Sequence, residues 1–333
     1  MVLLGAFVLV LGGCGGSQHS AATRLIFSTD LALGLINGRF DGPGPAPTDD
    51  AYAVALALAR PEQFDVRGLV ITFGNDKMEP EMRAARRAMD ALDADVPIYE
   101  GAAVPLSKPP VRFFDDRPLA DWCVNDGVRF MAAELRDAPA TIAAIGPFTD
   151  IACLAQNFPD EVKRIQRVVI LAGSKPGQGL KLGTTPVPDL NFTSDPEALR
   201  YILEETDIPL TAMLFEVTST TELDAKQIAS LRDHGPAGRY FAAASEPNVQ
   251  AFGPTQPFDA NVVYHLAEPK AYRCFESGFR IVAKQPSADP DSGNIDAFRP
   301  DLPGRRVEAC DAFARPGEGA RFIDAVLDGV RRP

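Results

Sequence analysis

The sequence predicts a single α/β domain with a mostly parallel central sheet flanked by helices. Short apolar runs that suit buried strands alternate with segments of about ten to fifteen residues that suit helices, which implies crossover units and parallel pairing. The chain has 333 residues, 46% of them hydrophobic and 23% charged, ample for a large core. Neither an internal repeat nor a composition break divides it.

The first strand is expected at residues 25–28 (LIFS), ending at Thr29-Asp30. A Gly- and Pro-rich stretch, 31–48, is too irregular for helix or strand. Asp49-Asp50 then opens a helix, because acids suit a first turn where the backbone dipole is positive, and Pro61 stops it. Strand character returns at 66–72, Gly74-Asn75 turns the chain, and a helix over 80–92 leads to a short strand at 97–99. The alternation resumes with helix 127–135, strand 141–145, helix 148–157 and strand 167–171. A long Gly-rich loop reaches Asn191, and helix 195–204 precedes strand 209–214. Residues up to 266 read as mainly helical, 306–309 as a last strand and 318–330 as a closing helix. Ligands of open parallel sheets sit beyond the carboxyl ends of the strands. Thr29-Asp30, Gly74-Asn75, Gly146-Pro147 and Asp189-Leu190-Asn191 all fall there.

Residues 1–14, MVLLGAFVLVLGGC, form an apolar run ending in Cys14, followed by a flexible Gly-Gly-Ser stretch. This resembles a bacterial lipoprotein signal whose cysteine is lipidated after cleavage, although neither Lys nor Arg precedes the run. An ordinary signal peptide or a chance hydrophobic start is the alternative. The expected organisation is signal 1–14, linker 15–23 and domain 24–333, with the protein exported and tied to a bacterial membrane on the periplasmic side by its lipid alone. No later stretch is apolar for long enough to span a bilayer. Cys123, Cys153, Cys274 and Cys310 remain; export permits disulfides with three possible pairings, and buried free thiols are the other reading. A net charge of −12 argues against nucleic acid as a partner, since phosphates are gripped by Lys and Arg.

Asp30 at a strand end, facing Asp49-Asp50 at a helix start, brings three like charges together. Such crowding is costly unless a cation compensates, and oxygen ligands favour a hard ion such as calcium or magnesium. A helix N-cap is the plain alternative for each aspartate.

At this point the sequence resembles the inosine–uridine-preferring nucleoside hydrolases, whose first strand ends in D-x-D-x-G-x-D-D. Ser28-Thr29-Asp30 matches its start, with Ser28 in place of the first Asp, and Asp49-Asp50 matches its end after an insertion. In the same order follow Val70 to Asn75, Ala144 to Asp150, Val168 to Gly173, and the block Pro188-Asp189-Leu190-Asn191-Phe192-Thr193-Ser194-Asp195-Pro196-Glu197-Ala198. The family's final H-D appears as Phe258-Asp259. The resemblance implies one Ca2+ held by Asp30, Asp50, Asp259 and the main-chain carbonyl of Ile145, with Asp30 also the base that activates water. It implies Asp49 and Asn191 on the ribose hydroxyls, Asn75 and Asp189 close to the sugar, a small riboside as substrate, and a possible homo-oligomer. The expected reaction is hydrolysis of the N-glycosidic bond of a ribonucleoside or related riboside.

Three departures bear on this reading. Phe258 stands where many members carry a histidine that protonates the leaving base, and phenylalanine donates no proton. His19, His234 and His265 are expected to be surface or core residues rather than replacements. Gly183 and Asp189 are shorter than the usual residues at the 5′ edge of the sugar site, so a roomier edge is expected. The insertion places Asp41, read as solvent-facing, beside the ion, and Trp122 is a candidate to stack on a base or to pack in the core. The loss of the histidine keeps open a second function, a catalytically weak or inactive ribosyl-compound binding lipoprotein. A metal-dependent phosphatase would want a Lys and a phosphate-cradling loop near the acids, and neither is found.

Overall fold

The computed structural model describes residues 21–36, 44–108, 111–112, 115–118, 122–175, 178, 180–182, 185–186, 188–281 and 302–331. The lipoprotein-like leader with Cys14, most of the expected linker, His19, Asp41 and Gly183 lie outside them.

Eight strands form one sheet: β1 (Thr23–Thr29), β2 (Phe64–Ile71), β3 (Ile98–Glu100), β4 (Ala140–Ala144), β5 (Ile165–Leu171), β6 (Leu210–Met213), β7 (Tyr272–Ser277) and β8 (Val307–Phe313). Their spatial order is β7-β8-β6-β5-β4-β1-β2-β3, and every neighbouring pair is parallel except β7 with β8. The main helices are α1 (Asp49–Leu58), α2 (Met78–Ala91), α3 (Asp126–Asp137), α4 (Thr149–Asn157), α5 (Pro196–Glu205), α6 (Gly235–Phe252), α7 (Ala260–Ala267) and α8 (Glu318–Arg331).

Strand periodicity makes this a three-layer structure, because successive side chains leave the sheet on opposite faces. Leu25, Phe27, Leu69, Ile71 and Val169 enter one core with α1, α2, α7 and α8. Ile26, Val70, Ile142, Val168 and Ile170 enter the other with α3, α4 and α5. Both faces are covered, so the central strands read as continuous apolar runs rather than alternating ones. Helix α1 is apolar almost all round and buried from Asp49 to Ala57, which fixes its acidic N-terminus inside the protein.

The chain leaves β1 towards β2 and β3, then returns to place β4 on the other side of β1. The carboxyl ends of β1 and β4 therefore flank the point where the winding reverses, the preferred ligand crevice of such sheets. The ends are held in step: Ile145 N–H donates to Ser28 O at 2.8 Å, and Thr72 N–H to Thr29 O at 2.9 Å.

The structure adds elements that the sequence reading lacked. The edge strand β7 lies where the sequence predicts no element, and the loop around Asn191 holds the paired segments Lys181–Leu182 and Thr185–Pro186 and a one-turn helix, Leu190–Thr193. The last strand is longer than 306–309 and runs to Phe313. The cysteines pair as Cys123–Cys153 and Cys274–Cys310.

Candidate metal and sugar site

Three elements deliver four aspartates to the winding reversal. Asp30 directly follows β1, Asp49 and Asp50 start α1, and Asp259 stands at the N-cap of α7. All four side chains are buried: Asp30 is 2% exposed, Asp49 8%, Asp50 1% and Asp259 2%. Carboxylate oxygens of Asp49, Asp50 and Asp259 lie within 4.8 Å of one another. Asp30 joins through Asp50, whose carboxyl it meets at hydrogen-bond range. More than two hundred residues separate the first and last members, and only the sheet topology unites them.

The local backbone is shaped to admit these groups. A Cβ on Gly74 would stand 1.8 Å from Asp30 Oδ2, and one on Gly146 would stand 3.0 Å from Asp30 Oδ1. Thr29 Oγ1 donates to Asp50 Oδ1. Asn75 Nδ2 donates to Asp30 O at 3.1 Å and to Asp50 Oδ2 at 3.4 Å.

Electrostatically the cluster is unfavourable as a set of anions. Burial, then Glu81 and Asp49, push the Asp30 carboxyl well above the usual carboxylate range. Burial, then Asp30 and Asp49, do the same to Asp50, and burial with all three other aspartates to Asp259. Burial raises Asp49 to about 6, against the hydrogen bonds it shares with Asp259. Among the described residues no Lys or Arg forms an ion pair with any of the four, and Asp259 Oδ1 is buried without a hydrogen-bond partner. Buried charge of this density needs an opposite charge. The donor set is all oxygen, so the residues fit a hard divalent cation.

The remaining predicted residues surround this centre. Asn191 Nδ2 donates to Ile145 O and Leu171 O, both at 3.1 Å, across the ends of β4 and β5. Its Oδ1 stays available to accept a hydroxyl, and the Ile145 carbonyl retains a second lone pair. Asp189 is the N-cap of the one-turn helix: its oxygens accept from Gly173 N–H at 2.9 Å and Phe192 N–H at 3.1 Å, and burial raises it to about 6. It therefore fixes the loop that carries Asn191.

Phe258 packs edge-on against Phe215, with ring centroids 6.0 Å apart. His234 is half-buried at the start of α6. His265 is a core residue, 4% exposed, as the sequence reading allowed. Trp122 packs on the second core.

Two groups around the site escaped sequence reading. Glu81, fully buried in the first turn of α2, repels Asp30, but an acid at that position is ordinary and gives no cue. Asp150 accepts from Ala102 N–H at 3.0 Å and Asn125 Nδ2 at 2.8 Å, tying the 101–125 connection to α4. It ends the family-like segment 144–150, but an acid in the first turn of a helix gives no further cue to this role.

The inosine-uridine preferring nucleoside hydrolase family profile matches residues 43–294. The chain is 31% identical over 212 residues to the non-specific ribonucleoside hydrolase RihC of Klebsiella pneumoniae subsp. pneumoniae, covering 59% of this chain and 67% of that protein. It is 30% identical over 203 residues to the pyrimidine-specific ribonucleoside hydrolase RihA of Salmonella paratyphi B, covering 56% and 63%. Among solved structures, the plant nucleoside hydrolase PpNRh1 superposes with a TM-score of 0.71 at 18% identity, over 93% of this chain and 99% of that one. The purine-preferring ribonucleoside hydrolase of Gardnerella vaginalis gives 0.69 at 19% identity, over 93% and 99%. These two likenesses concern the fold. With the profile match spanning well over half of its length, the chain belongs to the inosine-uridine preferring nucleoside hydrolase family.

Proposed function

We propose that this protein is a calcium-dependent hydrolase that cleaves the N-glycosidic bond of ribonucleosides or a related N-riboside. The observation that carries the proposal is the convergence of Asp30, Asp49, Asp50 and Asp259 at the winding reversal, buried and, among the described residues, without a cationic partner. Asp30, Asp50, Asp259 and the Ile145 carbonyl would hold the ion. A bound hard dication would offset the repulsion among the carboxylates and act as a Lewis acid towards oxygen.

The chain's own groups supply the rest. Asp30, whose proton affinity is raised by burial and its neighbours, would take the proton from the attacking water. Asp49 and the free oxygen of Asn191 would accept hydrogen bonds from the ribose hydroxyls, with Asn75 and Asp189 fixing Asp50 and the Asn191 loop. As the glycosidic bond lengthens, positive charge develops on the sugar, and the ring of carboxylates stabilises it. Residue 258 gives the leaving group no proton.

A second reading, a weakly active or inactive ribosyl-compound binder, is favoured by Phe258 alone. Assaying release of free base and ribose from a panel of nucleosides decides between them. Release that Asp30→Asn abolishes, with nucleoside binding retained, supports the hydrolase; binding without release in the wild type overturns it.

Export with a lipid at Cys14 on the periplasmic side of a bacterial membrane completes the proposal, together with a homo-oligomeric state. The apolar 1–14 run supports the export, as do the two disulfides, a feature of oxidising compartments.

A further inference from the structure

Away from the aspartates, the antiparallel edge of the sheet sets Cys274 of β7 directly opposite Cys310 of β8, and the two form a disulfide. His265 of α7 packs onto this pair, its Nδ1 4.0 Å from Cys310 Sγ. Ligand atoms of His265, Cys274 and Cys310 all lie within 4.8 Å of one another. His265 and Cys310 are buried, whereas Cys274 is half-buried. On the other side of the imidazole, Nε2 lies 3.9 Å from Glu308 Oε2, a carboxylate also engaged by Arg167 and Thr211. The hydrolytic reading uses none of these groups.

We propose that opening of the Cys274–Cys310 bridge turns this corner into a site for a thiolate-preferring divalent cation such as Zn2+, ligated by Cys274 Sγ, Cys310 Sγ and His265 Nδ1.

Geometry supports this. Bonds of about 2.3 Å to sulfur and about 2.0 Å to nitrogen place tetrahedral ligands roughly 3.5 to 3.8 Å apart. The His265 to Cys310 separation is already close to that range, so the main adjustment is rotation of the two freed sulfurs away from each other. Charge supports it too: a dication with two thiolates and a neutral imidazole has no net charge, which a dry pocket tolerates. Burial, reinforced by Arg167 against the opposing pull of Glu308, lowers His265 to about 4 and keeps the ring neutral at physiological pH. Glu308 stands beside Nε2, where it favours the tautomer that bears its proton there and presents the Nδ1 lone pair to the sulfurs. The other disulfide lacks this arrangement: among the described residues no third ligand of these types gathers with Cys123 and Cys153.

Chemically, a dithiol reductant gives two electrons and two protons to the sulfurs and leaves as its own cyclic disulfide. The two thiol protons are then released as the dication binds.

The test uses the full chain with Ca2+ present, reduced anaerobically with a dithiol, desalted and titrated with Co2+ as the probe. Reduced wild type is expected to bind one Co2+ per chain with thiolate-to-metal charge-transfer absorption, and oxidised wild type to show no such band. His265→Ala should weaken Co2+ binding by roughly 100-fold, and Cys274→Ser should remove most of the band, whereas Cys123→Ser should leave it intact. X-ray absorption on the reduced wild type needs no variant: a shell of two sulfurs and a nitrogen supports the site. An oxygen-only shell, the absence of a thiolate band, or a band lost in Cys123→Ser but kept in Cys274→Ser overturns it.

Discussion

Replacing Asp259 with asparagine isolates the electrostatics of the cluster, because it removes one charge while preserving size. Oxygens of Asp259, Asp49 and Asp50 lie within 4.8 Å of one another. At an effective dielectric of about 20, two unit charges at that distance repel by roughly 3.5 kcal/mol. Proton uptake already relieves part of this in the ion-free protein, since Asp259 is held well above its ordinary pKa by burial, Asp49, Asp50 and Asp30. A net relief on the order of 1–3 kcal/mol remains at pH 8, which for a chain of this length corresponds to a Tm rise of roughly 1.5–4 °C. The asparagine amide can still donate to Asp49, so no buried donor is stranded. Differential scanning fluorimetry in a chelator is expected to show Asp259→Asn melting above the wild type. With Ca2+ at about 100 times its Kd, the wild type should gain roughly 2.7 kcal/mol and the variant far less, so the order reverses. A variant that melts below the wild type in chelator and responds equally to Ca2+ refutes this reasoning.

The pH dependence follows from the same groups. An acid whose folded pKa stands above its unfolded value favours the native state while protonated, a contribution complete below about 4 and lost as pH rises through the folded value. Asp49, Asp150 and Asp189 are each raised to about 6, so the chelated protein should lose several degrees of Tm between pH 4.5 and 7.5, and a flat profile contradicts this. Calcium affinity, measured by calorimetry, should strengthen across the same window as the carboxylates shed their protons. Gly74→Ala puts a Cβ where Asp30 Oδ2 now sits, 1.8 Å away, and should displace that carboxylate. Ribose release is expected to fall by roughly 100-fold with an unchanged circular dichroism spectrum, and wild-type turnover in the variant would count against the assigned role.

The buried strands were legible because each carries a short apolar run: LIF, LVI, IAA and VVIL lie in strands whose observed ends fall within two residues of the expected ones. Strand β7 was not, since its burial alternates unevenly along YRCFES, as expected for an edge strand with partly exposed side chains. The one-turn helix Leu190–Thr193 exists because Asp189 caps it, a local bond that periodicity over a single turn cannot reveal. For the site, Asp30, Asp49 and Asp50 were legible from charge crowding alone. Asp259 was reached through family resemblance, because nothing local distinguishes it from an ordinary helix cap and its meeting with Asp50 is set by the whole sheet. The interlocking duties of Asp189 and Asn191, which tie their loop to the strand ends, appear only when β4 and β5 are side by side. Cysteine pairing stayed open for the same reason: sequence allowed three pairings, and chain topology chose one.

The aspartates are expected to share one hard ion, and equilibrium dialysis with radioactive calcium tests that most directly. The wild type is expected to retain one Ca2+ per chain, and Asp50→Asn, which keeps the fold but removes a central ligand, to retain none. A wild type that binds no calcium, or a variant that binds it with unchanged stoichiometry and affinity, contradicts the account.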